Sequence, residues 1–204
     1  IPSKYLMDDM FGIFASVNPR TGYAKDPRME ALMKPRKGAD GRTAFRYLEC
    51  NIGMDASAKE SHYPDLYCAS PLNTTDETVN PYTKNDGYIP LFLTEELMLI
   101  KAEALYWKGD KTGSREWTVK AVEKSFERFN CNPKYTGNYL KDVAYLPETD
   151  FNIGHIMRQK YVCMYLQPEI WTDMRRYNYS NDKNGITYDG ITIYPTLKRP
   201  YNLY

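Results

Sequence analysis

Apolar residues recur at the three- and four-residue spacing of an α-helix in three stretches of the chain. The spacing predicts helices over Leu93 to Lys108, Glu116 to Asn130 and Ile153 to Leu166. Each helix then presents an apolar stripe, and leaving such a stripe in water costs roughly 25 cal/mol for every Å². We therefore expect the three helices to bury their stripes against one another in one core.

The first two predicted helices lie close together in the sequence. The first has Thr94 as a candidate N-cap and Gly109 as its C-terminal stop, and the connector at 110–114 is short. Two apolar stripes joined by a short connector indicate an antiparallel helical hairpin. The residues predicted to face the core are Leu93, Leu97, Ile100, Ala104 and Trp107 in the first helix and Val119, Val122, Phe126 and Phe129 in the second.

The third predicted helix is apolar around most of its circumference, which is typical of a helix at the centre of a domain. Asp150 and Asn152 precede it as candidate N-caps. After it, Pro168 indicates a break, and a second, short helix is predicted from Glu169 to Arg176. The apolar positions of the central helix are Ile153, Ile156, Met157, Cys163 and Met164.

The segments between the helices have the composition of turns and loops. Tyr23 to Pro90 is rich in Pro, Gly, Asn and Asp, and a loop of this length is often functional. Asn132 to Asp150 is predicted as a second, Tyr-rich loop, and Asp189-Gly190 predicts a β-hairpin. The predicted single domain, 1–204, is therefore loop-rich at 23–92, helical at 93–178, and ends in a hairpin and a Pro-rich tail at 179–204.

The overall charge is nearly balanced, because 27 Lys and Arg oppose 26 Asp and Glu, for a net charge of +1. That balance gives no general reason to expect nucleic acid as a partner. No apolar run in the sequence is long enough to cross a bilayer. The four cysteines lack the spacing of a zinc site, and Cys50 and Cys68 are left open as free thiols or a disulfide.

Three carboxylates of the predicted helices have both a catalytic and a structural interpretation. Glu95, Glu96 and Asp173 would supply a carboxylate pair of the kind that hydrolyses glycosides. Their spacing is equally that of charges at helix ends or on solvated helix faces. The structural interpretation is favoured, so we do not expect an enzyme.

Glu103 and the adjacent Arg175 and Arg176 are predicted to form an ion pair that braces two helices. Such a pair contributes little net stability when it is desolvated, but it is costly to break. The two histidines, His62 and His155, have no acidic cluster beside them in the sequence. Neither a metal nor another cofactor is therefore expected.

Aromatic residues of the long loop are the candidate ligand contacts. The chain has 19 Tyr, 7 Phe and 3 Trp, and tyrosine combines an apolar face with a hydrogen-bonding tip. An aromatic face can stack on a pyranose ring while neighbouring Asn, Asp and Arg groups bind its hydroxyls. The candidates, which lie outside the helical stripes, are Tyr23, Phe45, Tyr47, Tyr63 and Tyr67.

Three stretches, in this order, resemble the SusD/RagB-type family of outer-membrane glycan-binding lipoproteins. They are DPRMEALMKPRKGADG at 26–41, PLFLTEELMLIKAEALYWKG at 90–109 and IMRQKYVCMYLQPEIWTDMRRYNYS at 156–180. The closing YPTLKRPYNLY is also similar to the Pro-rich end of that family. The chain resembles the C-terminal half of such a protein, so we expect it to be the C-terminal part of a larger one.

The resemblance implies a mainly α fold in which tetratricopeptide-like helical hairpins support long irregular loops. It also implies an outward-facing position at the outer membrane, held there by a lipid anchor outside this chain. Members of that family bind oligosaccharides without catalysing a reaction and deliver them to a TonB-dependent transporter of the SusC type. The loop ahead of the KAEA motif supplies part of their binding platform.

Two other functions are left open by the sequence. One is a helical-hairpin scaffold whose partner is a protein or peptide. The other is a secreted glycosidase, which the carboxylates of the helices would serve. Glycan binding without catalysis is the function that we expect.

Overall fold

The computed structural model describes residues 6, 10, 26–32, 36–37, 43–44, 87–141, 146–180, 187–188 and 190–194. Within these residues the helices are α1 (Met29–Leu32), α2 (Thr94–Trp107), α3 (Lys111–Arg128), α4 (Pro133–Tyr139), α5 (Ile153–Cys163) and α6 (Glu169–Arg176). Two short strands, β1 (Arg36–Lys37) and β2 (Thr43–Ala44), pair antiparallel. The described part of the chain is thus mainly helical, as the sequence predicts.

Helices α2 and α3 run antiparallel and are joined by a connector of three residues, 108–110. Near one end of the pair, Arg128 of α3 donates to the Glu95 carboxylate of α2 over 2.6 Å. Near the other end, the Ser114 hydroxyl donates to the Ala102 carbonyl over 2.6 Å. Gly109 permits the tight connector, because its φ of 86° lies in the left-handed region that favours glycine.

The start of α3 differs from the prediction, which placed residues 110–114 in the connector and began the helix at Glu116. The Asp110 carboxylate accepts a hydrogen bond from the Gly113 N–H over 2.8 Å and caps the helix there, so α3 begins at Lys111. The cap of α2 was also predicted wrongly. Leu93, with an extended backbone and no side-chain cap, occupies the N-cap position, and Thr94 is the first residue of the helix.

The predicted buried face of α2 is wrong. Leu97, Ile100 and Trp107 are 53%, 44% and 51% exposed. Helix α2 has apolar residues on two sides, and periodicity alone does not say which side faces the core. The fold buries the side that also carries its carboxylates, because cationic partners for them lie on α3 and α6. The buried residues of α2 are Glu95, Glu96, Leu99, Ala102, Glu103 and Tyr106.

The predicted stripe of α3 agrees with the structure. Val122, Phe126 and Phe129 are buried, and Val119 is half-buried beside them. Small residues occupy the intervening buried positions, which lets α2 and α5 approach closely. These small residues are Ser114, Thr118, Ala121 and Ser125.

Helix α5 is central, as predicted, and the other helices pack around it. Ile153, Ile156 and Met157 are at most 1% exposed and belong to one core cluster with residues of α2, α3 and α6. The helix ends at Cys163, three residues before the predicted end, and Leu166 beyond it has a φ of 66°. Buried Gln159 and Lys160 lie on the same helix, so the centre of the fold contains polar as well as apolar side chains.

Asn152 is the N-cap of α5, one of the two candidates that the sequence offers. Its side chain accepts from the Gly154 N–H over 2.9 Å, and His155 Nδ1 accepts from the Asn152 N–H over 3.2 Å. Burial, with a smaller contribution from Arg158, lowers the pKa of His155 to about 3. The imidazole is therefore neutral at physiological pH, as its acceptor role requires.

Helix α4 lies in a segment that the sequence predicted to be loop. Asn132 caps it by accepting from the Lys134 N–H over 3.0 Å, and Pro133 occupies its first turn. The Asn132-Pro133 pair is the sequence signal from which the start of this helix could have been predicted. The Tyr- and Gly-containing sequence that follows has weak helix propensity, which concealed the helix.

The C-terminal residues return to the core. Tyr188 and Ile191 exchange two backbone hydrogen bonds, of 3.0 and 2.9 Å, around Gly190 with its φ of 72°. Tyr194 is buried, and its N–H donates to the Ser180 carbonyl over 2.8 Å. The longer β-hairpin and the tetratricopeptide-like arrangement of the helices remain predictions.

Candidate functional site

The predicted ligand contacts belong to the long loop, of which the structure describes the two ends and the short strands β1 and β2. Tyr23, Phe45, Tyr47, Tyr63 and Tyr67 lie outside the described residues. The described ends are residues 26–32, which enter the helical core, and residues 87–92, which lead into α2. The geometry of these ends determines how the loop is held.

The first end is held by a buried set of polar side chains around Arg28, here called the Arg28 cluster. Arg28 is 0% exposed, and its guanidinium donates to the Asp26 carboxylate over 2.5 Å. It also donates to Gln159 Oε1 over 2.8 Å, to the Tyr139 hydroxyl over 3.2 Å and to Ser125 Oγ over 3.2 Å. The members of the cluster are Asp26, Arg28, Ser125, Tyr139, Gln159 and Cys163.

The Arg28 guanidinium keeps its charge in this buried position. Burial acts to lower its pKa, but the Asp26 carboxylate and the surrounding acceptors outweigh burial, so the pKa of Arg28 is raised well above its usual value. The rings of Phe126 and Tyr139 add to this, since their centroids lie 5.6 and 5.5 Å from the guanidinium carbon. The same burial raises the pKa of the Cys163 thiol, which makes that cysteine unreactive.

The Arg28 cluster connects the start of the loop to three helices at once. Ser125 belongs to α3, Tyr139 to α4, and Gln159 and Cys163 to α5. Leu32 and Met29 of α1 are buried against the same region. From the sequence, the Asp-Pro-Arg stretch was interpreted as a turn signal and as part of a family motif. Its burial was not predicted, because a buried arginine is rare and its partners are about 100 or more residues away.

The second end of the loop is the entry to α2. Leu93 is buried, whereas the residues immediately before it project from the surface. Tyr88 and Phe92 are 51% and 58% exposed, so both aromatics of this end of the loop lie at the surface. The loop thus runs between two points that are each fixed to the helical core.

A second ionic group, here called the Glu103 cluster, connects α2 to α6. The Glu103 carboxylate accepts two hydrogen bonds from the Arg176 guanidinium, one of them 2.9 Å long, and one of 2.5 Å from the Tyr177 hydroxyl. Arg176 also donates to Asp173 over 2.7 Å, and Lys160 of α5 approaches Asp173 to 2.7 Å. The structure therefore brings Glu103 together with Arg176, while Arg175 lies exposed on α6.

Opposing effects act on the Glu103 carboxylate. Burial acts to raise its pKa, but the hydrogen bonds from Arg176 and Tyr177 outweigh burial and lower it. Burial and the hydrogen bond to Glu103 raise the pKa of Tyr177. Glu103 is thus an ionised acceptor at neutral pH, and Tyr177 is a neutral donor to it.

Two of the three carboxylates that offered a glycosidase interpretation are paired inside the helical core, and the third, Glu96, is 8% exposed. Glu95, 2% exposed, pairs with Arg128, and Asp173, 7% exposed, pairs with Lys160 and Arg176. Glycoside hydrolysis requires two carboxyl groups that reach the scissile bond. Among the residues that the structure describes, no group of His, Cys, Asp and Glu side chains has the arrangement of a metal site.

A model of SusD-like proteins, described as starch-binding and associating with the outer membrane, matches residues 17–192. The chain belongs to the SusD-like family. The match includes the long loop, both ionic clusters and the helices from α1 to α6, so it does not depend on one motif.

Comparisons of this SusD-like chain with curated proteins and with solved structures found no match. Within the described ranges, no helix combines the length and the apolar composition that a membrane span requires.

Replacing Glu103 by Gln should lower the free energy of unfolding of this SusD-like protein by about 1.5 to 3 kcal/mol. Glutamine is nearly the same size, but it leaves the Arg176 guanidinium with one carboxylate partner, Asp173, in place of two, and it offers one acceptor oxygen in place of two. Urea denaturation of the purified protein measures the change.

The matched control is Glu116→Gln, which removes an exposed carboxylate from α3 and should change stability by less than about 0.5 kcal/mol. Glycan affinity should stay the same in both variants, because the Glu103 carboxylate is buried against Arg176 and Tyr177. A Glu103→Gln protein as stable as wild type would contradict the bracing role.

Proposed function

We propose that this protein binds oligosaccharides without catalysis at the outer surface of the outer membrane and delivers them to a TonB-dependent transporter of the SusC type. The observation that carries the proposal is the SusD-like match over residues 17–192, whose description includes both starch binding and the outer membrane. Starch oligosaccharides are accordingly the first ligands to test.

The described geometry supports a binding loop on a rigid support. The Arg28 cluster fixes residues 26–32 to α3, α4 and α5, and buried Leu93 fixes the other end at α2. Ligand-binding residues are disproportionately found on loops that a rigid scaffold positions. Between these ends the sequence places Phe45, Tyr47, Tyr63 and Tyr67.

The chemistry of these side chains suits a sugar. A tyrosine ring stacks on the apolar face of a pyranose, and the Asn, Asp and Arg residues of the loop offer donors and acceptors for its hydroxyls. The helical core differs from the loop, because its carboxylates Glu95, Glu103 and Asp173 form ion pairs with Arg and Lys side chains. This division between the loop and the core supports binding without hydrolysis.

Alanine variants of Tyr47, Tyr63 and Tyr67 should each weaken the binding of a soluble starch oligosaccharide. By analogy with aromatic pairs, the stacking of one ring contributes about 0.5 to 1.5 kcal/mol, so each affinity should fall by no more than roughly tenfold. Isothermal titration calorimetry measures the affinities, with circular dichroism to show that each variant is folded.

The control is Tyr135→Ala, which removes a tyrosine that is 50% exposed on α4, in the other Tyr-rich segment. Its affinity should equal that of wild type. If Tyr135→Ala weakens binding and the three loop variants do not, the binding loop is the wrong one. If no glycan binds, the helical-scaffold function replaces the proposal, and if mass analysis shows shortened oligosaccharides, the protein is a glycosidase.

A further inference from the structure

Two aromatic side chains lie at the surface where the long loop enters α2. Tyr88 and Phe92 are each about half-exposed, so part of each side chain contacts the protein and part contacts water. Ile89 and Leu91 between them are 83% and 96% exposed and have much less support from the rest of the chain. A side chain that is already held loses less entropy when a ligand binds to it. The two aromatic residues are therefore better placed than their aliphatic neighbours to contact a ligand.

The chain limits the separation of Tyr88 and Phe92. Three residues stand between them, so their Cα atoms are at most about 14 Å apart. Pro90 is one of the three, and its fixed φ of about −65° stiffens the segment. Directly after Phe92, buried Leu93 has an extended backbone and occupies the N-cap position of α2. Two rings held at this separation can stack on different sugar units of one oligosaccharide.

The charge of the segment indicates the class of ligand. Every side chain from Gly87 to Leu93 is uncharged, and the next acidic residues, Glu95 and Glu96, are buried. Proteins bind carboxylate, sulfate and phosphate groups mainly through Arg and Lys, which this segment does not contain. A neutral sugar requires only apolar surface and hydrogen-bonding groups. A neutral oligosaccharide therefore fits the segment, in agreement with the starch-binding description of the matching family.

We propose that Tyr88 and Phe92 stack on a neutral oligosaccharide and extend the binding surface of the long loop to the entry of α2. The inference rests on the proposed function, because it assigns two further contacts and a charge class to the same ligand. The partial support of the two rings, their limited separation and the uncharged segment around them carry it.

Tyr88→Leu and Phe92→Leu test the proposal, because each removes a ring but keeps an apolar side chain. Each should weaken the binding of maltoheptaose to the purified protein by about two- to tenfold, measured by isothermal titration calorimetry. The double variant should lose roughly the product of the two factors, since the rings contact different sugar units. Tyr88→Phe keeps the ring and should bind within about twofold of wild type.

Leu91→Ala is the matched control, since it shortens the most exposed apolar side chain of the same segment without removing a ring. Its affinity should equal that of wild type. An oligogalacturonate of the same length is the matched ligand, and it should bind more weakly than maltoheptaose. In the wild-type protein, saturating maltoheptaose should also protect Tyr88 and Phe92 from hydroxyl-radical labelling while Tyr135 on α4 stays labelled. That measurement needs no variant to fold.

The other outcomes separate this inference from the proposed function. If maltoheptaose binds but neither protects Tyr88 and Phe92 nor responds to their replacement, the two contacts are wrong and the proposed function stands. If no glycan binds, the proposed function fails as well. An equal loss in Leu91→Ala and Phe92→Leu overturns ring stacking in favour of a general apolar contact. Tighter binding of the oligogalacturonate overturns the neutral class of ligand.

Discussion

Replacing Arg28 by Met should lower the free energy of unfolding by about 3 to 5 kcal/mol, the usual cost of breaking a buried ion pair from one side. Methionine fills much of the same space, but the Asp26 carboxylate, 1% exposed, then has no counter-ion in the core. Gln159 and Ser125 also lose the donor that they share. Urea denaturation followed by circular dichroism measures the loss.

An exposed ion pair provides the comparison for Arg28. Lys124 and Glu127 lie 2.6 Å apart on α3, and their side chains are 47% and 67% exposed. Lys124→Met should therefore leave the free energy of unfolding close to that of wild type. Adding Asp26→Asn to Arg28→Met should recover part of the loss, because it removes the uncompensated charge. A loss below about 1 kcal/mol for Arg28→Met would show that Arg28 does not have the buried partners described here.

Replacing Ile156 by Ala should lower the free energy of unfolding by about 2 to 5 kcal/mol. Ile156 is 0% exposed on α5 and lies in the cluster that α2, α3 and α6 share. Truncation removes apolar contacts and leaves a cavity that these packed helices cannot easily close. The midpoint of urea denaturation again measures the loss. An m-value equal to that of wild type would show that only stability has changed.

A graded substitution at the same site serves as the control for Ile156. Ile156→Val removes one methylene and should cost about 0.5 to 1.5 kcal/mol, less than Ile156→Ala. If Ile156→Ala costs less than about 0.5 kcal/mol, α5 is not the central helix of the fold.

The two ionic clusters have a common organisation. Each brings charged groups from distant parts of the sequence to buried positions on the central helices, with Gln159 in one and Lys160 in the other. Apolar residues of similar size in place of these charged groups would stabilise the fold about as much. Our hypothesis is that the clusters specify which helix faces meet. Replacing both Asp26 and Arg28 by apolar residues tests it, since the variant should stay folded but lose uniform packing by NMR; sharp, wild-type-like spectra would reject it.

Features that depend on local patterns could be predicted from the sequence alone. Helix α6 has the bounds that Pro168 and the following residues predict, and Asn152 caps α5 as one of the predicted residues. The central position of α5 was also predictable, because a helix that is apolar on most sides has to be surrounded. The family was recognisable for a related reason. Each of its motifs is a contiguous stretch of sequence, and the motifs follow one another in a fixed order along the chain.

Features that depend on distant partners became visible only in the assembled fold. The sequence placed Leu97, Ile100 and Trp107 in the core, but the carboxylates on the other side of α2 have their cations on α3 and α6, so that other side is buried. Arg28 is another example, because its partners follow it by about 100 residues or more and are reached only when α3, α4 and α5 assemble. Periodicity gives the apolar sides of a helix, but the energy of burying a charge depends on which opposite charge the fold brings to it.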